Sequence, residues 1–156
     1  METRRKLSFV SESDVIADAD ALLRGGYRRL GKWSLGQNCE HIARFVTCTM
    51  DGFPMKGPWA VRNLAGPIIR RVMFVWGIPS GFPAPAQFQP ERNVDDVEGV
   101  RRLRETLERF THFSGEFHPS PMLGKLTREQ WHRVHLIHAA HHLGFLLPAG
   151  NPTPDR

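Results

Sequence analysis

Four long segments of the chain place apolar residues at the three- and four-residue spacing of an amphipathic helix. Each begins near a residue that can cap a helix, and two of them, Ser34 with Gln37 and Thr127 with Gln130, have the capping-box pattern. The predicted helices run from Ser11 or Ser13 to Arg24, from Ser34 to Met50, from Asp95 or Asp96 to Phe110, and from Arg128 to Leu147. No segment alternates apolar and polar residues as a strand does, so we predict an all-α fold, an up-down four-helix bundle.

Each predicted helix has an apolar face that the interior of a bundle would bury. On the third helix this face comprises Val97, Val100, Leu103, Leu107 and Phe110. On the second helix, His41 lies at the edge of the apolar face, in line with Asn38 and Phe45. Its side chain is therefore expected to reach the interior.

The segment between the second and third helices, from Asp51 to Asn93, is interrupted by seven prolines. Its apolar stretch from Pro67 to Trp76 is predicted to form a short helix, since proline suits a first helical turn. The rest is predicted to be an irregular insertion, which either covers a functional site or is a mere connection. The segment has more apolar surface than one short helix can hide, so we expect Trp59 or Trp76 to line a pocket over the site or to contact a second subunit.

At 156 residues the chain is predicted to be a single domain over residues 1–156. Its two cysteines, Cys39 and Cys48, lie nine positions apart on one predicted helix, a rise of about 13 Å that excludes a disulfide between them. The N-terminus lacks the apolar core of a signal peptide, and no stretch approaches the roughly 20 apolar residues of a membrane span. These features predict free thiols in a cytoplasmic protein that has no membrane partner.

The formal net charge of +5 raises the question of nucleic-acid binding. Basic pairs such as Arg28-Arg29 and Arg70-Arg71 are scattered among acidic residues and form no continuous stripe with interleaved aromatic residues. A solvated basic surface is the better interpretation, and we predict no nucleic-acid partner.

Histidines are concentrated in the last predicted helix, at positions 132, 135, 138, 141 and 142. His138 and His142 are four residues apart, so they share a helix face and can bind one ion. The best candidate for a third ligand from another segment is His41. Three imidazoles with an open position are typical of a catalytic site for zinc, nickel, copper or iron. Histidines that serve pH-dependent packing are the alternative.

Two segments, WSLGQNCEHIARF from Trp33 to Phe45 and LTREQWHRVHLIHAAHHLGFLL from Leu126 to Leu147, resemble motifs of the DinB/YfiT-like superfamily, and within it of the family DUF1569. The resemblance implies a four-helix bundle in which a divalent metal ion is bound by His41, His138 and His142, and it makes a homodimer the expected assembly. Where such families continue with polar residues after the histidine pair, this chain has Gly144, Phe145 and Leu146. His141 stays an alternative to His142, because a separation of three residues from His138 is also compatible with one ion.

The superfamily contains metal-dependent transferases that use low-molecular-weight thiols, and some hydrolases. We therefore expect a metal-dependent enzyme of the thiol S-transfer or hydrolytic kind, with zinc or nickel as the ion and a small molecule as the substrate. A low-molecular-weight thiol is the candidate cofactor. The alternative is a non-catalytic, metal-binding or stress-related helical protein. For Gln37, helix capping is favoured over the orientation of a ligand or substrate, and no catalytic residue is assigned.

Overall fold

Five α-helices and a two-stranded antiparallel sheet form the regular structure of residues 3–81 and 84–150, which the computed structural model describes. Pro83 and both ends of the predicted 1–156 domain lie outside these residues. In chain order the elements are α1 (Glu12–Gly25), β1 (Tyr27–Arg29), α2 (Leu35–Asp51), α3 (Gly66–Trp76), α4 (Asp96–His112), α5 (Arg128–Leu143) and β2 (Leu146–Pro148). A π-helical turn, Val61–Ala65, precedes α3, and a 3-10 turn, Ala86–Phe88, precedes α4. The fold is thus mostly helical, as predicted.

Local side-chain caps explain where the long helices begin. The Ser34 hydroxyl accepts from the Gln37 amide, and the Gln37 side chain in turn accepts from the Ser34 amide. Thr127 and Gln130 form the same reciprocal pair at the start of α5. Ser11 caps α1, so of the two predicted capping residues the first is used. These pairs satisfy backbone donors that the first turn of a helix leaves free.

The hydrophobic core lies between α1, α2, α4 and α5, and each of these helices contributes several buried side chains to it. On α4 the predicted inward residues Val100, Leu103, Leu107 and Phe110 are all buried. The prediction for Val97 is wrong, because this side chain is 62 % exposed. Val97 lies about 100° around the helix from the centre of the buried face, so its spacing of three from Val100 is not sufficient for burial. None of the helices in the described part of the chain combines the length and apolar character that a membrane span requires.

Two glycines allow α2 and α4 to approach closely at their N-terminal ends. A Cβ atom on Gly99 would lie 2.5 Å from the Cα of Gly36, and one on Gly36 would lie 2.6 Å from the carbonyl oxygen of Asp95. Asp96 reinforces this crossing, since its carboxylate accepts from the Gly36 amide at 2.7 Å and from the Tyr27 hydroxyl at 2.8 Å. The start of α2 is therefore fixed, and with it the position of His41 one and a half turns later.

The middle segment is more helical than predicted. The π-helical turn continues directly into α3, and it accommodates Pro67, which lacks an amide donor and would clash with a carbonyl in a regular helix. Ile69, Met73 and Phe74 pack against the core. The opposite side of this segment is exposed and largely apolar: Trp59, Leu64, Ile68, Val72, Val75 and Trp76.

The predicted end of the last helix at Leu147 is wrong, because α5 ends at Leu143 and residues Leu146–Pro148 form a strand. This strand pairs antiparallel with Tyr27–Arg29, and Leu146 is fully buried. The turn occurs at Gly144, where a Cβ atom would lie 2.9 Å from the carbonyl oxygen of Arg5 in the N-terminal segment. Tertiary pairing thus overrides the continuing apolar pattern of this segment.

Candidate metal centre

Helices α2 and α5 bring His41, His138 and His142 together, and we call these three residues the histidine triad. Each offers one ring nitrogen, and the three nitrogens lie within 4.8 Å of one another. The ring of His41 is centred 5.0 Å from that of His138 and 4.4 Å from that of His142. His41 and His138 are buried and His142 is partly buried. The structure therefore unites the three residues that the sequence predicts as ligands, in an arrangement that could hold a metal ion.

The backbone carbonyl of Phe88 sets the orientation and tautomer of His41. His41 Nδ1 lies 2.6 Å from this oxygen, and since a carbonyl can only accept, Nδ1 carries the proton. The lone pair is then on Nε2, which lies 3.1 Å from Nε2 of His138. In a tetrahedral zinc site, with nitrogen–zinc bonds of about 2.0–2.1 Å, two ligand nitrogens are about 3.3 Å apart. The residues present therefore fit a divalent ion at this position.

Polar side chains of α2 hold the chain around Phe88 in place. The bonds join this helix to residues 89–92, which directly follow the Phe88 carbonyl: Gln37 Nε2 to Glu91 O (3.0 Å) and Arg92 O (3.2 Å), Glu91 N to Glu40 Oε2 (3.1 Å), and Arg44 Nη1 to Gln89 O (3.1 Å). Glu40 is buried and also pairs with the guanidinium group of Arg44 at 3.0 Å. Hydrogen bonds that orient a ligating imidazole contribute to metal affinity. Gln37 both caps α2 and helps to fix this segment.

Two aromatic rings, neither of which was predicted from the sequence to belong to the site, contact the triad. Trp33 is stacked on His142, with ring centroids 5.6 Å apart and 16° between the planes, and it is 5.0 Å from His41. Phe45 contacts the third member of the triad, with its ring centroid 4.7 Å from that of His138. Trp33 stands immediately before the Ser34 cap of α2, so its place in the motif was a usable signal. The rings limit the access of water to the triad and lower the local polarity.

Burial keeps the triad uncharged. Desolvation lowers the pKa of His41, and the hydrogen bond to Phe88 only partly opposes this. The pKa values of His138 and His142 lie well below 6.5, first because of burial and then because of the neighbouring imidazoles. Neutral imidazoles have the free lone pairs that metal coordination requires. In addition, Nδ1 of His138 is buried without a hydrogen-bond partner among the described residues.

His141, the alternative ligand, is engaged elsewhere. Arg4 Nη1 and the Ile78 carbonyl oxygen lie 2.8 and 3.0 Å from His141 Nδ1, so this nitrogen contacts one group that only donates and one that only accepts. The second guanidinium nitrogen of Arg4 donates to the carbonyl oxygen of Ile78 at 3.3 Å. The three ring nitrogens that lie within 4.8 Å of one another include one from His142 and none from His141. The geometry thus favours His142 over His141.

The remaining histidines and cysteines do not join the triad. His135 is fully buried among Phe45, Phe110 and Trp131, where burial lowers its pKa to about 3. His132 pairs with Glu12, and His112 and His118 are exposed. Both cysteines are free, as predicted, and burial raises the pKa of each thiol.

One of the two tryptophans predicted to line a pocket, Trp76, does line one, beside the triad. A cavity of about 250 Å³ has Trp76 in its wall, but it borders His141 and not the members of the triad. Trp59 is 66 % exposed and does not line this cavity. The aromatic neighbours of the triad are instead Trp33 and Phe45.

Comparison with known proteins gives a family but no characterised relative. Neither the curated proteins nor the solved structures contain a match to the chain. A family model described as "Protein of unknown function (DUF1569)" matches residues 1–149, which include α2, α5 and all three triad histidines. The chain therefore belongs to the DUF1569 family.

Proposed function

We propose that the protein is a divalent-metal-dependent enzyme in which the histidine triad holds the ion, and that it catalyses thiol S-transfer or hydrolysis on a small molecule. The observation that carries the proposal is the convergence of three neutral imidazoles from two helices. Zinc and nickel are the ions that we expect, since imidazole suits both. Three protein nitrogens leave a position free for a substrate, unlike a closed structural site with four protein ligands.

The proposed architecture is an up-down four-helix bundle of the DinB/YfiT-like kind. Its four helices would be α1, α2, α4 and α5, which share one hydrophobic core. The proline-containing stretch with α3 would then be an insertion between the second and third helices of the bundle. Metal sites in bundles are built from side chains on facing helices, and the triad on α2 and α5 has this arrangement.

The residues around the triad have distinct roles in this proposal. His41, His138 and His142 would bind the ion, and the Phe88 carbonyl would keep His41 Nδ1 protonated so that Nε2 faces the ion. Trp33 would exclude water near His142, and Phe45 would exclude it near His138. A bound divalent ion supplies Lewis acidity, which polarises a carbonyl group or lowers the pKa of a thiol or water. A low-molecular-weight thiol is the candidate co-substrate.

We propose a homodimer as the assembly. The exposed apolar side of the α3 segment repeats at helical spacing through Leu64, Ile68, Val72 and Val75. Contiguous apolar surface of this kind is typical of a protein–protein contact, and two-fold dimers are the commonest soluble oligomers. Sedimentation of the wild-type chain is expected to give a dimer. A dimer that persists in an Ile68→Glu, Val72→Glu double variant would contradict this interface, while a monomeric wild type would contradict the dimer itself.

The test of the proposed function begins with the metal content of the chain purified without an affinity tag. We expect about one zinc or nickel ion per chain by mass spectrometry of the digested protein, because the three imidazoles form one site. The chelator-treated chain is then compared with the reloaded chain for consumption of low-molecular-weight thiols and for hydrolysis of ester and amide substrates. Activity that disappears with the ion and returns with it supports the proposal. A chain that never binds a divalent ion would overturn it, whereas a chain that binds the ion without either activity would indicate the non-catalytic alternative.

A further inference from the structure

The cavity of about 250 Å³ lies where the N-terminal segment crosses the C-terminal end of α3 and the outer side of α5. Its wall is partly apolar and includes Trp76, Leu136 and Ile137. Its remaining side chains include Arg4, Lys6 and His141. No aspartate or glutamate of the described residues lines it. The cavity, which we call the basic cavity, therefore combines positive charge with an apolar surface.

Three consecutive cations border the basic cavity, and they differ in how their charge is compensated. Arg5 forms a two-bond ion pair with Asp18, at 2.7 and 2.8 Å, and donates to the Leu143 carbonyl. Its charge is neutralised, and its role is to hold the N-terminal segment on α5. Arg4 has no carboxylate partner within residues 3–81 and 84–150, and its polar contacts are with the His141 ring and the Ile78 carbonyl oxygen. Lys6 is exposed and has no ion pair with the described residues. Two positive charges at the cavity are thus uncompensated.

The guanidinium group of Arg4 is also fixed in orientation. Its Nη2 donates to the Ile78 carbonyl, its Nη1 lies 2.8 Å from His141 Nδ1, and the group lies 5.6 Å from the centre of the Phe145 ring. An arginine has five N–H donors in a planar arrangement, so donors remain available beside these contacts. Donors that are already oriented lose little entropy when they bind a carboxylate or phosphate group.

We infer that the basic cavity binds a small organic anion, with Arg4 and Lys6 recognising its carboxylate or phosphate group and the apolar wall with Trp76 recognising its hydrocarbon part. A volume of about 250 Å³ is slightly below the range for drug-sized molecules, which favours a ligand of a single ring or a short chain. The cavity is next to the triad, because His141 lines it and the rings of His141 and His142 are centred 5.0 Å apart. The inference rests on the cavity itself and does not require a metal ion.

Calorimetric titration of the full chain tests the inference with 3-phenylpropionate, phenyl phosphate and the neutral 3-phenylpropionamide as probes. Each titration is made on the chain as purified and after dialysis against a chelator, which separates an anion held by a bound ion from one held by Arg4. We expect both anions to bind the chelated chain at least about tenfold more tightly than the amide, because charge-assisted bonds to arginine are strong. The tighter of the two anions identifies the natural group as a carboxylate or a phosphate.

The matched variants are Arg4→Gln in the cavity and Arg71→Gln on the exposed surface of α3. Arg4→Gln should weaken both anions about tenfold, whereas Arg71→Gln should leave them unchanged within about twofold. Equal affinity for the anions and the amide in the wild-type chain would overturn the inference, and this comparison holds even if Arg4→Gln fails to fold. Unchanged affinity in a folded Arg4→Gln chain, or no saturable binding of either anion, would overturn it as well. Failure of metal binding would leave all these measurements interpretable.

Discussion

His135 and His138 lie three residues apart on α5, and both are buried with strongly lowered pKa values, yet their surroundings differ completely. His138 faces two other imidazoles, with its Nε2 atom 3.1 Å from that of His41. His135 is enclosed by Trp131, Phe45 and Phe110, and neither of its ring nitrogens has a hydrogen-bond partner among the described residues. Burial and a shifted pKa therefore do not define a metal site in this protein. The convergence of three ring nitrogens from two helices does.

Replacement by leucine at position 138 and at position 135 should give the largest difference in metal affinity between the two variants. His138→Leu removes a proposed ligand, so metal affinity should fall by more than about 100-fold. Loss of a residue that only hydrogen-bonds to a ligand lowers affinity by at most about that factor. His135→Leu should keep both stoichiometry and affinity, since its ring contacts no triad nitrogen. Competition with a chromophoric chelator measures the affinities. His141→Ala is a further control that should bind metal as the wild type does, and equal losses in His141→Ala and His138→Leu would contradict the assignment of ligands.

Acid should destabilise the metal-free chain through both histidines. Their pKa values are lower in the folded chain than the value of about 6.5 in the unfolded chain, so below that pH the unfolded state binds more protons. The stability associated with neutral imidazoles is complete above about pH 6.5 and is lost as the pH falls toward the folded-state values. With a pKa of about 3, His135 alone should account for about 2 kcal/mol between pH 7 and pH 5. Urea unfolding at the two pH values, with chelator present, measures the difference, which a flat profile would refute.

A substitution of Glu40 tests whether the hydrogen bonds that orient His41, which His135 lacks, contribute to metal binding. The Phe88 carbonyl orients His41, and Glu40 holds the following residues through the Glu91 amide. Glu40→Ala should weaken metal binding about tenfold, as removal of an orienting residue commonly does. Glu98→Ala is the matched control, because Glu98 also pairs with Arg102 but does not contact the segment after Phe88. Metal titrations that give the same affinity for both variants would exclude this role for Glu40.

His135→Leu should have the smallest effect, and it should be stabilising. A buried polar group without a partner costs about 1–3 kcal/mol, and leucine has a comparable volume without that penalty. At pH 7 we expect the free energy of unfolding to rise by about 1 kcal/mol. The variant should also lose the part of the acid sensitivity that His135 contributes. Reduced stability at neutral pH would show that the imidazole has a favourable interaction in the core.

The sequence predicted those parts of the molecule that local interactions determine. The capping pairs Ser34–Gln37 and Thr127–Gln130 were readable because both partners lie within one helical turn. The histidines of the triad could be selected because the spacing of four on α5 is local and a motif pointed to His41. Most of the first helix, α2, α4 and the start of α5 follow from the same periodicity.

Other features depend on contacts between distant segments, which periodicity does not contain. Leu146 continues an apolar helical pattern, but pairing with Tyr27–Arg29 places it in a strand. The Phe88 carbonyl is a backbone group, so its hydrogen bond to His41 cannot be predicted from the residue type at position 88. The spacing alone allowed either His141 or His142 as a ligand, and only the folded structure shows that His142 converges with His41 and His138 while His141 contacts Arg4 and Ile78.

The most direct test of the account is the identity of the atoms around a bound metal ion. Crystals of the zinc-loaded chain, measured at the zinc absorption edge, locate the ion by its anomalous scattering. We predict one ion per chain at about 2.0–2.1 Å from a ring nitrogen of each of His41, His138 and His142, with Nε2 as the His41 ligand. An ion bound by His135 or His141, or no ion within bonding distance of His41, would contradict the central claim.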